Sequence, residues 1–224
     1  MKKTAILAAL VPAAMLGTQA AQASNTALGL KLGTLGGGIE LTQGFTDNLN
    51  GRIGFNNFSY DYEETEDGID YDGDLDFETF SALLDWHPFG GGFRISAGAY
   101  NNGNEIDATA TGTDDYDIGD QTYTIDNARL DLAVDFDDFA PYLGIGWGDA
   151  VDQKGHVTFG LDIGVLYQGS PEASLSAQGT IGGQDVNDNA QFREDLRREE
   201  EQLNNDLEDF EYYPVISVGL NYRF

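Results

Sequence analysis

From Leu28 to the C-terminus, apolar and polar positions alternate with a period of two. The runs suit the roughly 9–11 residues of a tilted transmembrane strand. The clearest sets Val157, Phe159, Leu161, Ile163, Val165 and Tyr167 against Thr158, Gly160, Asp162, Gly164 and Gln168. Similar faces are formed by Leu175, Ala177, Gly179 and Ile181, by Ala128, Leu130, Leu132, Val134 and Phe136, and by Phe93, Ile95, Ala97 and Ala99. Such a pattern fits a wall with lipid outside and a packed polar lumen inside. Gly144, Gly146, Gly160 and Gly164 fall on inward positions, where they make room for larger side chains from neighbouring strands.

The connections alternate in length. Short turns are expected at Thr46 to Asn50, His87 to Gly92, Asp137 to Ala140 and Gly169 to Glu172. Long polar segments fall between them, at Asp61 to Asp74, Asn102 to Thr124, Gly148 to His156 and Gly183 to Glu211. In a membrane barrel the short turns are periplasmic and the long loops extracellular. Counting back from the C-terminus gives an antiparallel, all-β barrel of about ten strands, with eight as the alternative. The larger count requires a tight turn at Thr34 to Gly37, where the apolar phase passes from even (Leu28, Leu30, Leu32) to odd (Ile39, Leu41, Phe45). Phase also slips between Phe55 and Phe58 and between Phe77 and Phe80, which suggests bulges.

One segment breaks the β pattern. From about 190 to 211, Phe192, Leu196, Leu203, Leu207 and Phe210 form a helical stripe, with Asp188 and Gln191 in capping-box positions. This acidic amphipathic helix precedes the last strand and is expected to act as a lid or loop-packing element, or to dock a partner. Aromatic residues gather at run ends, among them Phe45, Phe58, Tyr60, Trp86, Phe89, Phe136, Phe139, Trp147, Tyr167, Tyr212, Tyr213 and Phe224, as interfacial girdles require.

The N-terminal segment and the composition sharpen this reading. Lys2 and Lys3, the apolar run from Ala5 to Leu16 and the Ala21-Gln22-Ala23 cleavage site mark residues 1–23 as a signal peptide, leaving 24–224 as the barrel domain. The formal charge of −28 excludes nucleic-acid binding, which needs clustered Lys and Arg. Without cysteine, neither a disulfide nor a thiolate metal site can form. The negative mean hydropathy, −0.35, is no argument for a soluble chain, because lipid-facing and lumen-facing residues average out.

The charges divide between wall and loops. Lys31, Arg52, Arg94, Arg129 and Arg223 lie at positions that alternation turns inward, as do Glu40, Glu78, Asp85, Asp131, Asp135 and Asp162. Withdrawn from water, such groups must pair, and we expect an interior network of Lys31, Glu40, Arg52, Asp85, Arg94, Arg129, Asp131, Asp162 and Arg223 that narrows or closes the lumen. The acidic excess lies in the loops: Asp61 to Asp74 holds eight acids and Asn102 to Asp126 holds seven, with no base in either. Asp70, Asp72 and Asp74 form a weak candidate for a divalent cation, but Gly68 and Thr79 occupy the first and last ligand positions of an EF-hand. No residue set calls for a cofactor. His87 precedes Pro88 in an expected periplasmic turn, and His156 lies near Asp149 and Asp152 in an expected outer loop, where it could act as a general base. Neither has the context of a serine-hydrolase elbow or a HExxH site.

The final strand, Pro214 to Phe224, carries the most specific motif. Ser217-Val218-Gly219-Leu220-Asn221-Tyr222-Arg223-Phe224 resembles the C-terminal β-signal of bacterial outer-membrane proteins, and the chain from 24 onward resembles the small outer-membrane β-barrel proteins, porin-like among them. The resemblance implies insertion by the barrel assembly machinery, which would read Ser217, Gly219, Tyr222 and Phe224. It further implies contact with outer-membrane lipid and a noncatalytic role, structural or as a narrow passive channel. A surface receptor or adhesin using the acidic loops and helix is the alternative, and a hydrolase the second.

Overall fold

The computed structural model describes residues 25–66, 68–151 and 155–224, so the signal peptide expected over 1–23 lies outside the described residues. Among the described residues, twelve strands and one α-helix follow in chain order: β1 (Thr26–Gly33), β2 (Gly36–Thr46), β3 (Leu49–Glu66), β4 (Ile69–Trp86), β5 (Phe93–Asn102), β6 (Glu105–Ile118), β7 (Gln121–Asp135), β8 (Phe139–Trp147), β9 (Val157–Tyr167), β10 (Glu172–Ile181), β11 (Gln184–Asp185), α1 (Ala190–Leu207) and β12 (Tyr212–Arg223). All pairings are antiparallel. The closed ring runs β1-β2-β3-β4-β5-β8-β9-β12 and returns to β1, which makes eight wall strands, the smaller of the two expected counts. The turn at Thr34 and Leu35 separates β1 from β2 as the phase change requires.

The other strands extend this wall beyond one mouth. Thr79–Trp86 of β4 pairs with β5, while Ile69–Asp76 of the same strand pairs with β6. β6 continues above β5, β7 precedes β8, and β10 follows β9, so that β3, β4, β6, β7 and β10 form a superstructure above the ring. β7 and β10 alternate like wall strands, which is why sequence periodicity counts them as such. Their apolar face meets α1 and neighbouring strands instead of lipid: Ile125, Ala128 and Ala177 join Ile69, Tyr116, Ile118, Val186 and Phe192 in one buried cluster.

This reassigns three connections. Both described termini, the β2–β3 and β4–β5 turns and the Gly148 to His156 segment share one end of the barrel, here the termini end. Asp137 to Ala140 and Gly169 to Glu172, expected on that side, lie at the opposite end, where Asp137 N–H donates to Gln168 C=O at 3.2 Å. The expected outer loop Gly148 to His156 is therefore a termini-end segment.

The phase slips in β3 and β4 have a different cause from the bulges expected there. The β3–β4 register is unbroken from Leu49↔Trp86 to Glu66↔Ile69. Within the ring, the outward positions are apolar (Ile53, Phe55, Phe80, Leu84, Trp86) and the inward ones polar (Asn50, Arg52, Asn56, Thr79, Asp85). Two residues higher the assignment inverts, so that Asp61, Glu63, Asp72, Asp74 and Asp76 continue the outer face while Phe58, Tyr60, Tyr62, Tyr71, Leu75 and Phe77 continue the inner one. The hydrophobic pattern changes face because the solvent outside changes from lipid to water. Phe58 and Tyr60, expected in a girdle, thus belong to the inner face, as does Tyr213, whose hydroxyl donates to Thr34 C=O at 2.7 Å.

The helix begins at an Asn189 N-cap in place of the expected Asp188–Gln191 box, with Asn189 Oδ1 accepting from the N–H groups of Gln191 and Phe192 at 3.0 and 3.2 Å. Its apolar stripe presents fully buried Phe192 to the cluster, edge-on to Tyr123 at a ring distance of 5.1 Å. Its polar side closes the free edge of β10. Ala173 N–H donates to Asn204 Oδ1 at 2.8 Å and Asn204 Nδ2 donates back to Ala173 C=O at 2.9 Å. Leu175 N–H donates to Glu200 at 2.9 Å, and Asn187, in the turn just before the helix, donates its Nδ2 to Ala177 C=O at 3.1 Å. Backbone groups that would template another strand are thereby satisfied. Phe192→Ala is expected to weaken helix docking by about 3–5 kcal/mol. Hydrogen exchange should then rise across Ala190–Leu207 and β10, while the heat-modifiable gel shift that reports the closed ring is unchanged.

Candidate functional site

Alternation within the ring turns one side chain in two into the lumen, and six of the eight wall strands deliver a charge to the same level. Lys31 comes from β1, Glu40 from β2, Arg52 from β3, Asp85 from β4, Arg94 from β5 and Asp162 from β9. Arg52 is the hub. Its Nη1 lies 3.2 Å from Glu40 Oε2, and its Nη2 lies 3.0 Å from Asp85 Oδ1 and 3.2 Å from Asp162 Oδ1, the last contact reaching across the lumen. Lys31 Nζ meets Glu40 Oε2 at 3.2 Å, and Arg94 Nη2 meets Asp162 Oδ1 at 2.8 Å. Ser96 donates its hydroxyl to Asp85. Three bases thus balance three acids, which is what burial demands of ions with no bulk water to screen them. Gly146 is part of the arrangement, since a Cβ there would stand 2.8 Å from Arg94 Nε and 2.9 Å from Asp162 Oδ1.

A second layer lies above the ions, toward the superstructure. Leu35, Leu83, Tyr100, Ala140, Tyr142, Leu166 and Val215 pack together in the lumen, with Tyr213 against them. Tyr100 and Tyr142 have ring centroids 5.5 Å apart, and the bare backbones of Gly144 and Gly164 accommodate the Tyr142 hydroxyl. Below the ions, the termini end is occupied by His87 and the segment after β8. His87 lies 2.8 Å from Gly91 C=O through Nδ1 and 3.2 Å from the Asn50 amide through Nε2, and Asn50 Nδ2 also donates to Asp149 at 3.1 Å. Arg94 donates to Gly148 C=O at the same level. His87 is therefore a buried, hydrogen-bonded part of this lower closure.

Three residues expected in the network are elsewhere. Arg129 and Asp131 sit on β7 in the superstructure, paired with one another at 2.7 Å and partly exposed, because β7 is not a wall strand. Arg223 does point inward and is buried, but its described side-chain contact is with Gly155 C=O at 3.4 Å, at the termini end below the ionic layer. His156 stacks on Tyr222 and places Nδ1 3.1 Å from Arg223 C=O, so its hydrogen bond among the described residues is to backbone; Asp152, expected beside it, lies outside the described residues. In β12, Ser217 and Gly219 face inward while Tyr222 and Phe224 lie outside, edge to face at 5.7 Å. A Cβ on Gly219 would come 3.3 Å from Leu30 C=O.

The outer face of the superstructure is a carboxylate sheet that periodicity alone did not show. Asp76, Glu105, Asp135 and Glu172 stand directly opposite one another across β4, β6, β7 and β10, and Asp61, Asp74 and Asp107 form a second row across β3, β4 and β6. Like charges directly opposite one another destabilise a sheet. The Asp74 carboxyl is raised above its ordinary range by desolvation and by Asp61, Asp76 and Asp107; Glu105 is raised chiefly by Asp107, then by desolvation and Asp135. Asp70 accepts from Thr65, and among the described residues no cluster of three or more His, Asp or Glu is arranged to hold a metal, Asp70, Asp72 and Asp74 included. Near α1 the opposite shift occurs. Hydrogen bonds from Tyr123 and Arg198 hold Asp195 below the usual carboxylate range, and burial together with this bond pushes Tyr123 up to about 12.

No family model and no curated protein matches the chain. Among solved structures, it is similar to Acinetobacter baumannii CarO, with a TM-score of 0.57 and 22% identity over 88% of this chain and 97% of that one. It is likewise similar to Acinetobacter baumannii CarO2, with a TM-score of 0.58 and 21% identity over 89% and 98%. The shared fold is that of a small outer-membrane β-barrel with an eight-stranded wall. Its exterior agrees with that fold: Leu30, Leu143, Phe159 and Val218 are exposed in the belt, Trp86, Phe93 and Trp147 edge it at the termini end, and Tyr167 and Tyr212 edge it at the other. The chain thus has the fold of a bacterial outer-membrane barrel, with an exterior suited to crossing a membrane with strands.

Arg52→Leu would leave Glu40, Asp85 and Asp162 facing one another without their shared cation, at a cost of about 3–5 kcal/mol. Urea unfolding in lipid vesicles should register this loss, and adding Asp85→Asn should recover part of it. The acidic face should respond to pH in the opposite sense from most proteins. A carboxyl whose folded pKa is raised contributes its stabilisation below the unfolded value and loses it as pH rises through the folded one. Amide protection in β4 and β6, corrected for intrinsic exchange, is therefore expected to increase as pH falls from neutral toward the ordinary carboxylate range. Asp195, shifted the other way, stabilises above its unfolded pKa, and that contribution is lost as pH falls through its lowered one.

Proposed function

We propose that this protein is a noncatalytic integral outer-membrane barrel with a closed lumen, serving as a structural anchor for the sheet and helix that it carries. The observation behind this reading is the Arg52 contact to Asp162 across the lumen, inside a neutral cluster joining six strands. A passive pore needs a continuous polar path, whereas here an apolar and aromatic layer stands above the ions and a hydrogen-bonded histidine layer stands below. In this reading the end that holds the β2–β3 and β4–β5 turns faces the periplasm, as in outer-membrane barrels generally, and the superstructure stands outside the cell.

The same orientation gives β12 its role in assembly. Tyr222 and Phe224 project from the periplasmic end of the last strand, while Ser217 and Gly219 keep its inner face small and polar. These four residues are the proposed recognition positions for the barrel assembly machinery, and the exposed apolar belt is the contact with lipid. The noncatalytic reading is favoured by the hydrogen bonds of the two histidines, which among the described residues run to the Gly91 and Arg223 carbonyls and the Asn50 amide.

Planar-bilayer recording on the refolded protein tests the closed lumen. The expected result is membrane insertion, shown by protease-protected heat-modifiable bands, without discrete conductance steps. Regular unitary steps from the intact protein would replace this reading with a narrow channel.

A further inference from the structure

The superstructure sheet has two free edges, and they are treated differently. The β10 edge is occupied by Asn187, Glu200 and Asn204, which satisfy its backbone groups. The β3 edge is open: β2 pairs with β3 only as far as Gly37↔Asn57, and β3 continues to Glu66 with β4 on its other side alone. The carbonyl oxygens of Phe55 and Asn57 point toward β2, against Gly38 and Gly36. By the alternation of an antiparallel ladder, the N–H and C=O groups of Ser59, Asp61, Glu63 and Thr65 point to the open side. Among the described residues none hydrogen-bonds to them there.

The side chains along this edge describe what would fit. On the outer face Asp61 and Glu63 are exposed acids without an ion-pair partner among the described residues, and on the inner face Tyr60 and Tyr62 present apolar rings. An added strand would therefore carry cations on one face, opposite Asp61 and Glu63, and apolar side chains on the other, beside the tyrosines. A second copy of this chain is disfavoured, because edge-to-edge pairing would set acids against acids.

We propose that the open edge of β3, from Ser59 to Thr65, binds an extended cationic amphipathic segment of another protein as an additional antiparallel strand. Backbone hydrogen bonds would supply affinity, and the alternation of Lys or Arg with apolar residues would supply selection. The inference does not depend on whether the lumen conducts.

The test uses the full chain folded in lipid nanodiscs, with a short peptide of alternating lysine and valine as probe and its glutamate–valine counterpart as control. Fluorescence anisotropy is expected to show binding of the lysine peptide only, and hydrogen exchange should slow at Ser59, Asp61, Glu63 and Thr65. The double variant Asp61→Lys, Glu63→Lys leaves the backbone edge intact and should reverse the preference by about tenfold or more. Ser59→Pro, which removes one edge donor, should weaken binding of the lysine peptide while the gel shift still reports a folded barrel. Protection confined to other strands, equal binding of both peptides, or self-association that protects these same amides would each overturn the proposal. Should a variant fail to fold, the wild-type comparison of the two peptides with the protection map decides the matter by itself.

Discussion

Every strand of this barrel is governed by the solvent that each of its faces meets. Lipid outside the ring leaves only the lumen for charge, and a lumen ringed by eight strands is too narrow to hydrate six ions separately. The charges must then satisfy one another. Arg52 makes this possible because a guanidinium offers several donors in a fixed plane, so Glu40, Asp85 and Asp162 can share it from three different strands. Glycine at 146 and serine at 96 follow from the same requirement, one leaving space and the other supplying a donor.

The same constraint explains how the wall ends. β3 and β4 leave the membrane without any break in register, and their outer face passes from Phe55 and Phe80 to acids within a few residues. The inner face changes in the opposite direction, from the polar lumen to tyrosines, leucine and a core that α1 covers in part. A continuous sheet thus carries two hydrophobic patterns of opposite phase. The carboxylate rows above the membrane repel across strands, and the closure of the β10 edge by Asn204 and Glu200 offsets part of that weakness by tying the last strand to the helix.

The wall was legible where one rule applied. Alternation identified the faces of β1, β2, β5, β8, β9 and β12 and the inward turn of Lys31, Glu40, Arg52, Asp85, Arg94 and Asp162, because lipid and lumen impose opposite demands on neighbouring residues. It misassigned β7 and β10, since period two reports an apolar face without saying whether lipid or a helix covers it. Arg129 and Asp131 were drawn into the lumen by that error, and the sides of Asp137 to Ala140 and Gly148 to His156 followed. The phase slips at Phe55 to Phe58 and Phe77 to Phe80 held the correct information in a form open to two explanations, a bulge or a change of solvent. Edge capping by Asn204 left no sequence signal, because it depends on which strand the helix lies beside.

One unbroken β3–β4 hairpin crosses from lipid to water, and its change of phase marks the membrane edge. The chain contains no cysteine, which allows single cysteines carrying a spin label to be placed at successive outward positions of β4 in the folded, lipid-embedded protein. At Leu84, Ala82 and Phe80 the label should be relaxed by oxygen dissolved in lipid, and at Asp76, Asp74 and Asp72 by a water-soluble nickel chelate, with even-numbered positions staying outward throughout. A change of the outward face from even to odd positions between Phe80 and Asp76 would show a bulge and contradict the account.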